Sequence, residues 1–278
     1  FWVQDYHMML VPETLRAGMP DARIGFFWHV PWPASEVFRI LPSARDLLRG
    51  MLASDLIGFH TEGYAENFRE SARDLLGATL EGEAVVLDGH RCRAESHPIG
   101  IDVARFEALA LAPEAAATAE ALRRDLGGGQ VVLGVGTHHS GGVRLGRHGE
   151  VTFVQIATPS RPGGPAYDRR KRDMDEASGR INGRFARGAW APVRYRYQSF
   201  DQPDLAAFYQ AADVAFVTPL RDGMNLVAHE FAAVSGVRAE QGGRAGALVL
   251  SELTGAADYL DGALLVNPYD ADGLARSL

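Results

Sequence analysis

The chain has 278 residues, 46% of them hydrophobic, which suits two domains of ordinary size with packed interiors and excludes global disorder. A formal net charge of -7 excludes a broad face that neutralises phosphates, so nucleic acid is not an expected partner, while a local anion site stays open. The single cysteine, Cys92, excludes an internal disulfide framework and fits a reducing cytosol; no apolar run approaches the roughly 20 residues that span a bilayer, so no membrane partner is expected.

In chain order, short apolar runs predict strands over 1–3, 23–30, 54–60, 84–87, 130–136, 151–157, 193–197, 214–220, 247–253 and 263–268. Several are near-continuous Val, Ile, Leu and Phe, the mark of parallel strands buried on both faces. Helical patterns fall between them. Residues 64–77 repeat Phe68, Ala72, Leu75 and Leu76 at helical spacing, with Gly77 suited to the stop. Residues 204–213 and 225–234 behave similarly, Val227, Phe231 and Val234 forming the stripe of the latter. This alternation predicts a doubly wound α/β fold. The expected domains are 1–108, a linker helix over 109–129, and 130–278. The opening on Phe1 and the close within a helical stretch predict a piece of a longer protein, truncated at both ends.

Open α/β sheets bind ligands beyond the carboxyl ends of their strands. Four polar clusters sit at such ends: "QDYH" with Asp5 and His7, "HVPWP" with His29, "ATPSR" with Ser160 and Arg161, and "RDGMNLVAHE" over 221–230. In the last, Gly223 permits close backbone approach and Asn225 is placed to cap the next helix. The first-turn amides of Met224, Asn225 and Leu226 are expected to face an anion or sugar hydroxyls. Asp222 can accept from a sugar diol, and Glu230, a turn deeper, from a second diol such as a ribose. A cap with solvated charges is the plainer alternative. Together the clusters suggest a cleft between domains.

Long ordered stretches then resemble one family: "VQDYHMMLVPETLR", "RIGFFWHVPWPASEVFRILP", "DLIGFHTEGYAENF", "HPIGID", "VTFVQIATPSR", "EASGRINGRF", "AADVAFVTPLRDGMNLVAHE", "SELTGAA" and "LLVNPYD". The chain resembles the trehalose-6-phosphate synthases, retaining glycosyltransferases that join a nucleotide-activated glucose to glucose 6-phosphate. The resemblance implies a GT-B fold, two Rossmann-like domains facing across a cleft, with no cofactor and no metal. Substrates would be UDP-glucose and glucose 6-phosphate, in the cytoplasm, and a homo-oligomer is compatible with it. Asp5 and His29 would line the sugar pocket and Arg161 would meet the acceptor phosphate. Asp222, with the amides of Met224 and Asn225, would hold the glucose hydroxyls; Leu226 would lie near the diphosphate and Glu230 would bind the ribose. A sibling transferase with another phosphorylated acceptor, such as a glucosylglycerol-phosphate synthase, and a non-catalytic sugar-phosphate-binding relative remain alternatives.

Three departures qualify the resemblance. The family's glycine loop and acceptor-reading aromatics precede anything in this chain. After "VVLGV" the family carries "RLDY-[ST]-KG", whose arginine and lysine clamp the diphosphate; here those positions fall on Thr137 and Gly142, within "GTHHSGGVRLGRHGE". About twenty residues, one crossover helix, are expected to be missing before residue 151. Arg144 and Arg147 are substitutes that nothing fixes in place, and the adjacent histidines 138 and 139 would face opposite ways on a strand, a poor metal site. Finally, His229 stands where the family usually has lysine. The lost cations predict weak or absent activity.

Overall fold

A computed structural model describes residues 1–136, 150–159 and 165–277. The chain forms two compact units: Phe1–Ile99 with Asp222–Met224, and Gly100–Arg221 with Asn225–Leu278. The units divide ahead of the expected edge at 108. A helix over Pro113–Asp125 falls within the expected linker, a second over Val103–Leu111 runs into it, and both lie in the second unit.

The first unit is built on a six-stranded sheet. Its strands are β1 (Trp2–Gln4), β2 (Gly25–Phe27), β3 (Leu56–Phe59), β4 (Thr79–Glu81), β5 (Ala84–Leu87) and β6 (His90–Ser96), in the order β1-β2-β3-β6-β5-β4. β1, β2, β3 and β6 are parallel, while β4 and β5 add an antiparallel meander on β6. The helices are α1 (Val11–Gly18), α2 (Ser35–Phe38), α3 (Ala44–Leu52) and α4 (Glu62–Leu76). α4 starts where the Thr61 hydroxyl accepts from the Tyr64 amide, at 3.3 Å, and stops at Gly77, whose φ of 70° is left-handed. Its inner face, Phe68 and Ala72, packs with Trp32, Phe59 and Ile57, all fully buried. Burying each large side chain contributes about 1.5–3 kcal/mol over leaving it exposed. Trp32 is also pinned by its indole N–H, which donates to Ser71 on α4 at 3.1 Å, so the proline-bounded segment after β2 is held against the core.

The second unit carries six parallel strands: β7 (Gln130–Val135), β8 (Val151–Ala157), β9 (Val193–Tyr197), β10 (Val214–Val217), β11 (Ala247–Ser251) and β12 (Leu264–Val266). Their spatial order is β12-β11-β10-β7-β8-β9. Counted from β7, that is the 3-2-1-4-5-6 order of dinucleotide-binding folds. The helices are α5 (Val103–Leu111), α6 (Pro113–Asp125), α7 (Pro165–Phe185), α8 (Gln202–Ala211), α9 (Leu226–Glu240) and α10 (Ala271–Arg276). β7 pairs with β8 along the whole length of β7. Most of the connection between them, 137–149, lies outside the described residues.

The strand order fixes where chemistry belongs in this unit. The winding reverses between β7 and β10, and that switch point is where open α/β sheets take ligands, beyond the carboxyl ends. The polar decapeptide 221–230 follows β10 directly.

Candidate active site

In the first unit the carboxyl ends of β1, β2 and β3 bring Asp5, His29 and His60 together. Asp5 sits at φ 64°, ψ 171°, a conformation few residues other than glycine adopt. Its amide donates to the Phe27 carbonyl at 2.9 Å, and its Oδ1 accepts from the Tyr6 amide at 2.9 Å. Such backbone strain costs about 1–3 kcal/mol and persists only where the surroundings impose it. His7, singled out with Asp5, lies on an exposed turn and stacks on Tyr6 instead.

The half-buried His29 has Nε2 2.6 Å from Gln4 Oε1. Its ring lies 4.7 Å from Phe27 and 5.5 Å from the ring of His60. His60, 3% exposed, was not a candidate from the sequence. The available signal was an imidazole closing a continuous apolar strand. Burial, reinforced by the neighbouring His29, pushes the His60 imidazole down to about 4, against the opposing charge of Asp5 and a bond with the His29 backbone. At neutral pH it is therefore an uncharged hydrogen-bonding group.

Asp222–Met224 belong with this unit. The Tyr64 hydroxyl donates to the Asp222 carbonyl at 3.2 Å. A Cβ on Gly223 would collide with the His29 carbonyl oxygen, so only glycine fits this approach. The Met224 amide, expected to face a ligand, instead donates to Asp222 Oδ1 at 3.3 Å. The two-residue reach back is a local turn that Asp readily makes.

In the second unit Asn225 caps α9 as expected, its Oδ1 accepting from the Ala228 amide at 3.2 Å. It does so from φ 73°, ψ 82°, in the left-handed region. Leu226 opens the helix, and Glu230 follows one turn on. The Tyr209 hydroxyl on α8 donates to Glu230 Oε2 at 2.7 Å. Burial raises the Glu230 carboxyl above its ordinary range, and the Tyr209 bond opposes that rise. Burial also lowers the neighbouring His229 imidazole. In the helix stripe, Phe231 and Val234 are fully buried, whereas Val227 is only half-buried. Arg161, expected at the acceptor phosphate, lies outside the described residues, as do Ser160, Thr137, Gly142, Arg144, Arg147 and histidines 138 and 139.

Among the described residues, no cluster of three His, Cys, Asp or Glu side chains could hold a metal ion, and no helix is long and apolar enough to cross a membrane.

A parallel sheet in dinucleotide-binding order, with a helix cap and a carboxylate in the chain after β10 at its switch point, defines an α/β protein, here of the GT-B fold class. The model of "Glycosyltransferase family 20" matches residues 1–141 and 144–278, and the chain belongs to that family. It is 40% identical, over 293 aligned residues, to a bifunctional trehalose-6-phosphate synthase/phosphatase of Thermoproteus tenax, covering 100% of this chain and 39% of that protein. Its fold is similar to that of a UDP-forming trehalose-phosphate synthase from Burkholderia xenovorans solved with glucose 6-phosphate. The TM-score is 0.90 and the identity 34%, over 99% of this chain and 64% of that one. An E. coli structure bound with UDP-2-fluoro glucose is similar at TM-score 0.89 and 34% identity, over 99% and 63% of the two chains. The chain thus spans less than two thirds of these relatives. The family match breaks at 142–143, inside the segment where the sequence predicts a lost crossover. The 293 aligned positions against 278 residues agree that the Thermoproteus relative carries residues this chain lacks.

Proposed function

We propose that the protein transfers glucose, with retention, from UDP-glucose to glucose 6-phosphate, giving trehalose 6-phosphate. The observation that carries this reading is the start of α9 at the switch point, where Asn225 caps the helix and Glu230 follows one turn on. Family membership and relatives solved with glucose 6-phosphate and a UDP-glucose analogue support the choice of substrates.

In this reading Asp222 and the amide of Asn225 take the glucose hydroxyls. The inward bond of the Met224 amide makes its part a support of Asp222 rather than a direct contact. Leu226 lies beside the diphosphate, where the amino end of α9 favours negative charge. Glu230 accepts from the ribose diol. Asp5 and His29 line the sugar pocket, and Arg161 meets the acceptor phosphate. The acceptor hydroxyl attacks the glucose anomeric carbon on the face from which UDP departs. The carbon–phosphate-oxygen bond breaks, the new glycosidic bond forms, and the leaving phosphate takes the hydroxyl proton. The protein supplies positioning and charge stabilisation, and the reading assigns no role to a metal or cofactor. We assign the protein to a reducing cytosol, consistent with its one buried free thiol, Cys92.

The rate of these 278 residues is low in this account. By the family motif, the positions of two cations that clamp the diphosphate fall on Thr137 and Gly142 in this chain. Each charged hydrogen bond contributes about 1.5–3 kcal/mol, so the loss is roughly 3–6 kcal/mol, or about a hundred- to ten-thousand-fold in rate. The test is incubation with UDP-glucose and glucose 6-phosphate, the product read by NMR. Slow formation of the α-linked disaccharide phosphate, abolished by Asp222→Ala, is expected. Robust turnover contradicts the lost clamp. Transfer only to another phosphorylated acceptor contradicts the acceptor, and sugar-phosphate binding with no transfer contradicts the enzyme reading.

A further inference from the structure

Tyr209 is a buried phenol that the proposed reaction does not use. It is 1% exposed, set in α8, with its ring edge-on to Phe231 of α9 at 6.3 Å. A phenol so enclosed needs a hydrogen-bond acceptor, and the one it has among the described residues is a carboxylate: Glu230 Oε2, at 2.7 Å. Burial and the adjacent carboxylate hold the Tyr209 hydroxyl well above its ordinary range, so it stays a donor at any working pH. The bond is charge-assisted and locks a side chain that otherwise has three free torsions. Only one carboxylate oxygen is engaged. Among the described residues Glu230 Oε1 accepts no hydrogen bond.

We infer that Tyr209 is a positioning residue for nucleoside recognition: its hydroxyl fixes the Glu230 carboxylate so that Oε1 is presented to a ribose diol. This rests on the proposed role of Glu230. A purely structural helix clip would leave ligand preference untouched, whereas a positioning residue controls how strongly the diol is read. An aligned carboxylate gains its hydrogen bond to a ribose hydroxyl without first losing torsional freedom; an unaligned one does not.

The test is Tyr209→Phe, which removes one oxygen and keeps the ring. Binding of UDP and of 2′,3′-dideoxy-UDP is measured by ligand-observed NMR on the wild-type chain and on the variant. The wild type is expected to prefer UDP by roughly tenfold or more, the effect of a hydrogen bond to a charged group. In the variant the two affinities draw within about threefold of each other, while affinity for the dideoxy compound is unchanged. Equal discrimination in variant and wild type overturns the role of Tyr209 and leaves that of Glu230 standing. No discrimination by the wild type, or no binding of either nucleotide, overturns both. Should the variant fail to fold, the readout is the fluorine resonance of 3-fluorotyrosine at position 209 in the otherwise unaltered chain. It is expected to shift with UDP and not with the dideoxy analogue; indifference to both overturns the inference.

Discussion

Asn225 carries two physical demands at one position, and substitution separates them. It caps α9 through Oδ1 and the Ala228 amide at 3.2 Å, and it does so at φ 73°. Losing a side-chain cap costs about 1 kcal/mol, while holding a residue without asparagine's local side-chain bonding in the left-handed region costs up to roughly 1–2 kcal/mol. Asn225→Ala loses on both counts, about 2–3 kcal/mol. Asn225→Gly loses only the cap and some unfolded-state restriction, about 1 kcal/mol or less. Asn225→Thr is the discriminating variant. At an ordinary helix start threonine caps almost as well as asparagine, but its branched Cβ resists positive φ. It is expected to lose at least about 1–2 kcal/mol despite its hydroxyl. Urea unfolding of the chain and its three variants reads these differences, with thermal midpoints falling roughly 2–4 °C per kcal/mol. A threonine variant within a few tenths of a kcal/mol of the wild type refutes the left-handed cap, and with it the local shape assigned to this corner.

Two further outcomes are expected. His60 is neutral when folded, its imidazole lowered to about 4 from the ordinary 6.5, so the unfolded chain binds the extra proton between those values. The stability this contributes is present above about pH 6.5 and lost as pH falls toward 4; His60→Gln should flatten that part of a pH–stability profile. Asp213 receives both Arg123 terminal nitrogens at 3.1 Å and the Val131 amide at 2.9 Å, joining α6 to the start of β7. Because the pair is partly exposed, Asp213→Asn should cost only about 1–2 kcal/mol, and 1 M salt should narrow the gap in thermal midpoint.

The parallel core was legible because its strands are nearly unbroken apolar runs: 151–157 and 193–197 match β8 and β9 in full. β6 was not. Its sequence, HRCRAES, alternates exposed arginines with buried Cys92 and Ala94, and polar residues outnumber apolar ones, so tertiary pairing with β3 and β5 decides it. The signal that could have revealed it is the Asp88-Gly89 pair, both at positive φ, a two-residue hairpin turn between β5 and β6. At the site, the Asn225 cap was readable because capping is local. The partnership of Tyr209 with Glu230 was not, because it joins two helices and no periodicity encodes a contact between side chains 21 residues apart. The Asp222 turn that draws in the Met224 amide was missed for a related reason. Amides at a helix start face outward only where no nearby side chain accepts them first.

The account depends most on the donor lying at the corner after β10. A crystal structure of the chain soaked with a non-reactive UDP-glucose analogue examines that directly. The ribose diol is expected within hydrogen-bond distance of Glu230 and the sugar hydroxyls within reach of Asp222. Nucleotide density at any other place in the second unit, with Glu230 untouched, would contradict it.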